Sequence, residues 1–138
     1  MTDNPTQPKM EQLPLFPDMQ LNIHERSLEQ SAFVDAFNDL ACEINQTAIE
    51  KGWWNDDRNT GEAIALIHSE LSEALEGLRN DARCSKVPQF LEVETELADA
   101  IIRIMDLAKG RAWRVAEALV AKMDYNKSRP YRHGNKPF

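Results

Sequence analysis

Read from its N-terminus, the chain first shows a recurrent apolar pattern at about Leu28. Val34, Phe37, Leu40, Ala41 and Ile44 recur at intervals of three and four. That period places them on one stripe of a helix predicted from about Leu28 to Lys51. The segment KGWWNDDRNTG breaks the pattern. Gly52 suits a helix end, and the Asn/Asp/Thr/Gly cluster is loop chemistry, with Trp53 and Trp54 at the break. A second helix is predicted from about Gly61 to Asn80. Asn59 and Glu62 resemble a capping box at its start, and Ile64, Ile67, Leu71, Ala74, Leu75 and Leu78 form its core stripe. The loop DARCSKV leads to Pro88, which suits a first helical position, and the third helix is predicted from there to about Lys109, with Gly110 as an interruption. Leu91, Leu97, Ala98, Ile101, Ile102, Ile104, Met105 and Ala108 cover much of its circumference. A fourth helix, from about Ala112 to Lys127, carries Val115, Ala116, Leu119, Val120 and Met123, and Pro130 stops it. No alternating strand pattern of useful length and no internal repeat is present.

Four amphipathic helices with short connections predict an all-α protein with a four-helix-bundle core. The third helix is apolar over more of its surface than one small monomer can cover. Burying a large apolar side chain is worth about 1.5–3 kcal/mol, so a homo-oligomer, dimer or tetramer, is expected. Residues 1–26 hold Pro5, Pro8, Pro14 and Pro17, four of the seven prolines, and read as an N-terminal arm. Its Leu13, Leu15 and Phe16 could dock on a neighbour. Residues 27–138 then form one domain that ends in the basic tail RPYRHGNKPF.

Composition narrows the function. A chain of 138 residues closes one core and not two. Sixteen Lys+Arg against 23 Asp+Glu give a net charge of −7, the wrong sign for a sequence-independent nucleic-acid binder. No apolar run approaches the roughly 20 residues of a membrane span, and no signal-peptide layout opens the chain, so a cytoplasmic protein without membrane contact is expected. Cys42 and Cys84 are too few for a disulfide framework and lack zinc spacing. His24, His68 and His133 lie far apart.

The excess acid is where chemistry is expected. The second helix carries Glu70 and Glu73 in HSELSEALE, and the third carries Glu96 and Asp99 in ETELADAII. Residues three apart share one side of a helix, so each pair aims two carboxylates together. If the two helices pack antiparallel, four carboxylates converge and need a cation, for which Mg²⁺ with phosphate oxygens is the natural choice. The plainer alternative is a solvated face. Glu92, Glu96, Asp99, Arg103 and Asp106 lie nearly opposite the apolar stripe of the third helix, as such a face would. Lys122, Asn126 and Arg129 follow at i, i+4 and i+7 and suit phosphate oxygens, or else complement a helix C-terminus. Trp53 and Trp54 offer a flat surface for a base or sugar, or else plug the core.

These stretches resemble a known family. GEAIALIHSELSEALEGL, ETELADAIIRIMDLA and KMDYNKSRPYRHGNK together are similar to the MazG-like nucleoside triphosphate pyrophosphohydrolases, of the all-α NTP pyrophosphatase superfamily. The resemblance covers about residues 28–136. It implies a four-helix core of the MazG-like type, obligate homo-oligomers, and Mg²⁺-dependent hydrolysis of a (d)NTP to the monophosphate and pyrophosphate, with Mn²⁺ as a substitute. By motif, Glu70, Glu73, Glu96 and Asp99 would be metal ligands. Lys122, Asn126 and Arg129 would contact phosphates, and Trp53 and Trp54 would lie near the nucleotide. Many members have a doubled Glu before the first pair, where this chain has Ser69. That departure favours the alternative of a non-catalytic bundle that binds a nucleotide or a partner protein. A di-iron carboxylate bundle is disfavoured, because neither acidic pair is a Glu-x-x-His.

Overall fold

The computed structural model describes the backbone of residues 17–131 and the side chains of residues 27–131. Among the described residues there are four helices and no strand: α1 (Pro17–Glu50), α2 (Thr60–Arg79), α3 (Glu92–Gly110) and α4 (Val115–Lys127). The expected all-helical class holds. Residues 1–16 of the expected arm, including Leu13, Leu15 and Phe16, lie outside the described residues, as do residues 132–138 of the basic tail. Helix α1 differs from expectation at its start. It begins at Pro17, a residue whose fixed φ suits a first turn, and so takes in ten residues assigned to the arm.

The helix ends follow local chemistry. Gly52 closes α1 at φ +85, a conformation that favours glycine. Asn59 caps α2, its side-chain oxygen accepting from the N–H of Gly61 and of Glu62. Helix α3 starts at Glu92, four residues after Pro88, because the chain first makes a short antiparallel bridge between Arg83 and Leu91. Glu94 has a role here: its carboxylate accepts from the Leu91 N–H at 2.7 Å and caps the helix start. Gly110 ends α3, and Ala112 at φ 54 makes the turn that delays α4 to Val115.

Helices α2 and α3 form an antiparallel hairpin. Gly77 near the end of α2 meets Glu92 and Val93 at the start of α3, where an added Cβ would lie 2.9 Å from the Glu92 Cβ. Glu70, two turns earlier, meets Arg103, three turns later. The buried residues of α2 are Ala63, Glu70, Ala74 and Gly77, a narrow seam of small side chains around one carboxylate. Helix α1 packs on α3, and α4 packs chiefly on α1.

The distribution of apolar residues corrects the expected core stripes. Leu71, Leu75 and Leu78 of α2 are exposed, Leu78 at 64%, and so are Leu97, Ile101 and Ile104 of α3. The buried positions are chiefly alanines, with Met105, Leu107 and Cys84. The polar stripe of α3 that resembled a solvated face turns inward instead. Asp106 is buried, and Glu96, Asp99 and Arg103 are half-buried.

Asp106 ties the α1–α2 connection to α3. Its carboxylate accepts from Asn45 Nδ2 at 2.8 Å, from the Trp54 indole at 2.8 Å and from Arg58 at 2.6 Å. The Trp54 ring lies against Gly110, where any side chain would collide with it. The guanidinium groups of Arg58 and Arg111 lie 5.2 Å and 5.8 Å from its centroid. Asp106→Ala strands a buried guanidinium, an indole N–H and an amide. Breaking a buried pair in this way costs about 3–5 kcal/mol. Urea unfolding should show a loss of that size, with Asp106→Asn milder because it keeps an acceptor.

Candidate functional site

The antiparallel hairpin brings the two acidic motifs together. Glu70, Glu96 and Asp99 each offer an oxygen such that all three lie within 4.8 Å of one another. The spacing accounts for this. Glu96 and Asp99 are one turn apart on α3, and the small residues of α2 let the helices approach until Glu70 sits between them. Glu73 is exposed, but close enough for its charge to act on Glu96. Glu70 is 5% exposed and has a carboxylate oxygen within 4.8 Å of one of Glu96. It also accepts from Arg103 Nε at 2.7 Å.

Crowding shows in the protonation of Glu96. Its carboxyl is held above the ordinary range, first by burial and next by the charge of Asp99. The neighbouring carboxylates of Glu70 and Glu73 push the same way. A divalent cation would relieve all of these. Three hard oxygen donors on two rigid helices fit Mg²⁺ or Mn²⁺, and the Arg103 guanidinium already stands in as a cation on Glu70.

Beside the carboxylates, α1 and α3 enclose a cleft of about 450 Å³. Leu40, Ile44 and Ile102 give it apolar walls, Trp53 stands at its rim, and Asp99, Arg103, Arg58 and Asp106 give it a polar side. A second cleft of about 490 Å³ is lined by Glu96, Thr95, Phe90 and Cys84. Asp99 and Ile102 border both.

The two tryptophans part company. Trp53 is 63% exposed and lines the first cleft, whereas Trp54 is bound into the Asp106 cluster. Lys122 and Arg129 lie over the Tyr125 ring, at 4.9 Å and 5.8 Å from its centroid. Asn126 is exposed beside them. No hydrogen bond or ion pair joins these three to Glu70, Glu96 or Asp99 among the described residues. Ser69, in place of the second Glu, donates to the Leu66 carbonyl at 2.7 Å within its own helix.

Sequence reasoning missed Arg103, Arg58 and Asn45 as parts of the site. Arg103 carried a signal, since it lies four residues after Asp99 and seven after Glu96, on the same face. Arg58 and Asn45 carried none. Compared with known proteins, the chain matches no family model, no curated protein and no solved structure.

The raised Glu96 sets a pH dependence. The folded state binds a proton there at pH values where the unfolded chain has released it. Stability of the metal-free protein therefore falls as pH rises from the ordinary glutamate range through the raised value. Unfolding in EDTA across a pH series should show that slope, and Glu96→Gln should flatten it.

Proposed function

We propose that the chain is a Mg²⁺-dependent nucleoside triphosphate pyrophosphohydrolase of the MazG-like type, hydrolysing (d)NTP to (d)NMP and pyrophosphate in cytoplasmic nucleotide-pool housecleaning. The observation that carries this reading is the convergence of Glu70, Glu96 and Asp99, from an ExxE and an ExxD motif, beside a cleft with an exposed tryptophan.

Glu70, Glu96 and Asp99 would hold the metal, with Glu73 at the edge of the cluster. Bound there, Mg²⁺ supplies charge neutralisation for the triphosphate and an acidified water. Trp53 gives a base a surface to stack on, and the apolar walls of the cleft exclude water from it. Trp54 and Asp106 support that surface by fixing the loop that presents Trp53. Cations stabilise the negative charge that develops on phosphate oxygens as the anhydride breaks. Lys122, Asn126 and Arg129 belong to that role by motif.

The apolar face supports homo-oligomerisation. Leu71, Leu75, Leu78, Leu97, Ile101 and Ile104 are more large apolar surface than a monomer ordinarily leaves in water. Sedimentation at micromolar concentration should show a dimer or tetramer, and Leu78→Glu with Ile101→Glu should shift it to monomer. A single-species monomer in the unmodified chain would remove the oligomer.

One observation favours the second reading, a nucleotide- or partner-binding bundle without catalysis: the Ser69 hydroxyl is spent on its own helix and adds no oxygen to the cluster. A panel of canonical and modified (d)NTPs, assayed for pyrophosphate with Mg²⁺ and with EDTA, separates the two. Metal-dependent release of monophosphate and pyrophosphate is expected, abolished in Glu73→Gln and Asp99→Asn with circular dichroism unchanged. Folded protein that is silent across the panel transfers the case to the binding bundle.

A further inference from the structure

Two arginines line the first cleft, and they are held very differently. Arg58 is bound to Asp106 at 2.6 Å, lies over Trp54 and is nearly buried, with 14% of its side chain exposed. Arg103 makes one hydrogen bond among the described residues, through Nε, to Glu70. Its two terminal amino groups have no protein partner among those residues, and 34% of its side chain is exposed. Arg103 thus stands at the seam between the carboxylates and the cleft, attached to the first and open to the second.

The bond it makes uses an oxygen that a metal would need. Glu70 Oε1 accepts from Nε, and oxygens of Glu96 and Asp99 lie within 4.8 Å of a Glu70 oxygen. A divalent cation held by Glu70, Glu96 and Asp99 would compete with the guanidinium for the Glu70 carboxylate, and two cations on one carboxylate would repel. One must leave, and only the arginine is tethered beside an open cleft. Its planar fork matches phosphate oxygens in two parallel hydrogen bonds.

We propose that Arg103 is an exchangeable counter-cation, bonded to Glu70 while the carboxylates hold no metal and moved onto the polyphosphate of the nucleotide in the cleft when Glu70 turns to a divalent cation. This rests on the metal reading of the acidic cluster given above. It makes Arg103 a catalytic residue that the ExxE and ExxD motifs do not contain. It also explains how a half-buried group of like charges stays folded without its metal: Arg103 neutralises Glu70 until the metal arrives.

The test is a Mn²⁺ titration of the full, nucleotide-free chain, followed by electron paramagnetic resonance of free Mn²⁺, for wild type, Arg103→Gln and Arg103→Lys. Removing a competitor should tighten Mn²⁺ binding in Arg103→Gln by about fivefold or more, within the usual range of coupling between two sites. Arg103→Lys, which keeps the charge, should stay near wild type. Turnover of (d)NTP by Arg103→Gln should fall although its metal binds better. Structural damage would lower both, so opposite signs are the signature. Folded Arg103→Gln that binds Mn²⁺ no better than wild type overturns the exchange.

If Arg103→Gln does not fold, the wild type carries the test through the Nε–H resonance of Arg103, assigned by its loss in Arg103→Lys. Saturating Mg²⁺ should shift or broaden it, and an unchanged resonance overturns the exchange. A wild type that binds Mn²⁺ and hydrolyses nothing, with the Arg103→Gln gain intact, sinks the pyrophosphohydrolase reading and supports the exchange. A wild type that binds no Mn²⁺ removes the metal reading and the exchange with it.

Discussion

The close approach of α2 to α3 is the constraint from which the rest of the molecule follows. Gly77 has no room for a side chain against Glu92, and Ala63, Ala74 and Ala100 are buried along the same pair of helices. Such a seam leaves space for a few larger groups, and the sequence fills it with Glu70. On the facing helix, Glu96, Asp99 and Arg103 occupy successive turns. Once the backbones are this close, the carboxylates cannot avoid one another. Burial in the seam, and next the charge of Asp99, hold the Glu96 carboxyl above its ordinary value.

Packing through small residues has a second consequence. The leucines and isoleucines that ordinarily fill a core have no place in an alanine seam, so they point outward. Among the described residues no large side chain is buried to less than 2% exposure. Helix α3 turns Glu96, Asp99 and Asp106 inward and leaves Ile101 and Ile104 exposed, the reverse of the usual arrangement. Under the function proposed above, the inward face would gather charge for a metal and the outward face would serve association.

This inversion also explains what could be read from the sequence. Helix number, helix order and the loop between α1 and α2 were legible because Gly52, Asn59 and the apolar period are local signals. The two acidic pairs were legible because i, i+3 spacing fixes a shared face whatever that face looks onto. Which face looks inward was not. Hydrophobic periodicity assigns the apolar stripe to the interior of the chain, whereas Leu71, Leu75, Leu78, Ile101 and Ile104 are exposed. The Asp106 cluster was illegible for another reason. Asn45, Trp54, Arg58 and Asp106 come from three separate stretches, and only the finished packing of α1 on α3 brings them together.

Asp106 and the Glu70 group occupy one polar stripe of α3 and its surroundings, yet they differ in how their charge is met. Asp106 receives three donors, a guanidinium among them, from elements that cannot move without unfolding the loop. Its demand is saturated, and its role is to hold Trp54 in place. Glu70, Glu96 and Asp99 share one guanidinium through one hydrogen bond. Among the described residues, three carboxylates face this one guanidinium, against the three donors that a single Asp106 receives. A buried carboxylate with full partners is a structural part. A group left short of them is where an outside cation has most to contribute, and here that deficit stands at the mouth of two clefts that meet at Asp99.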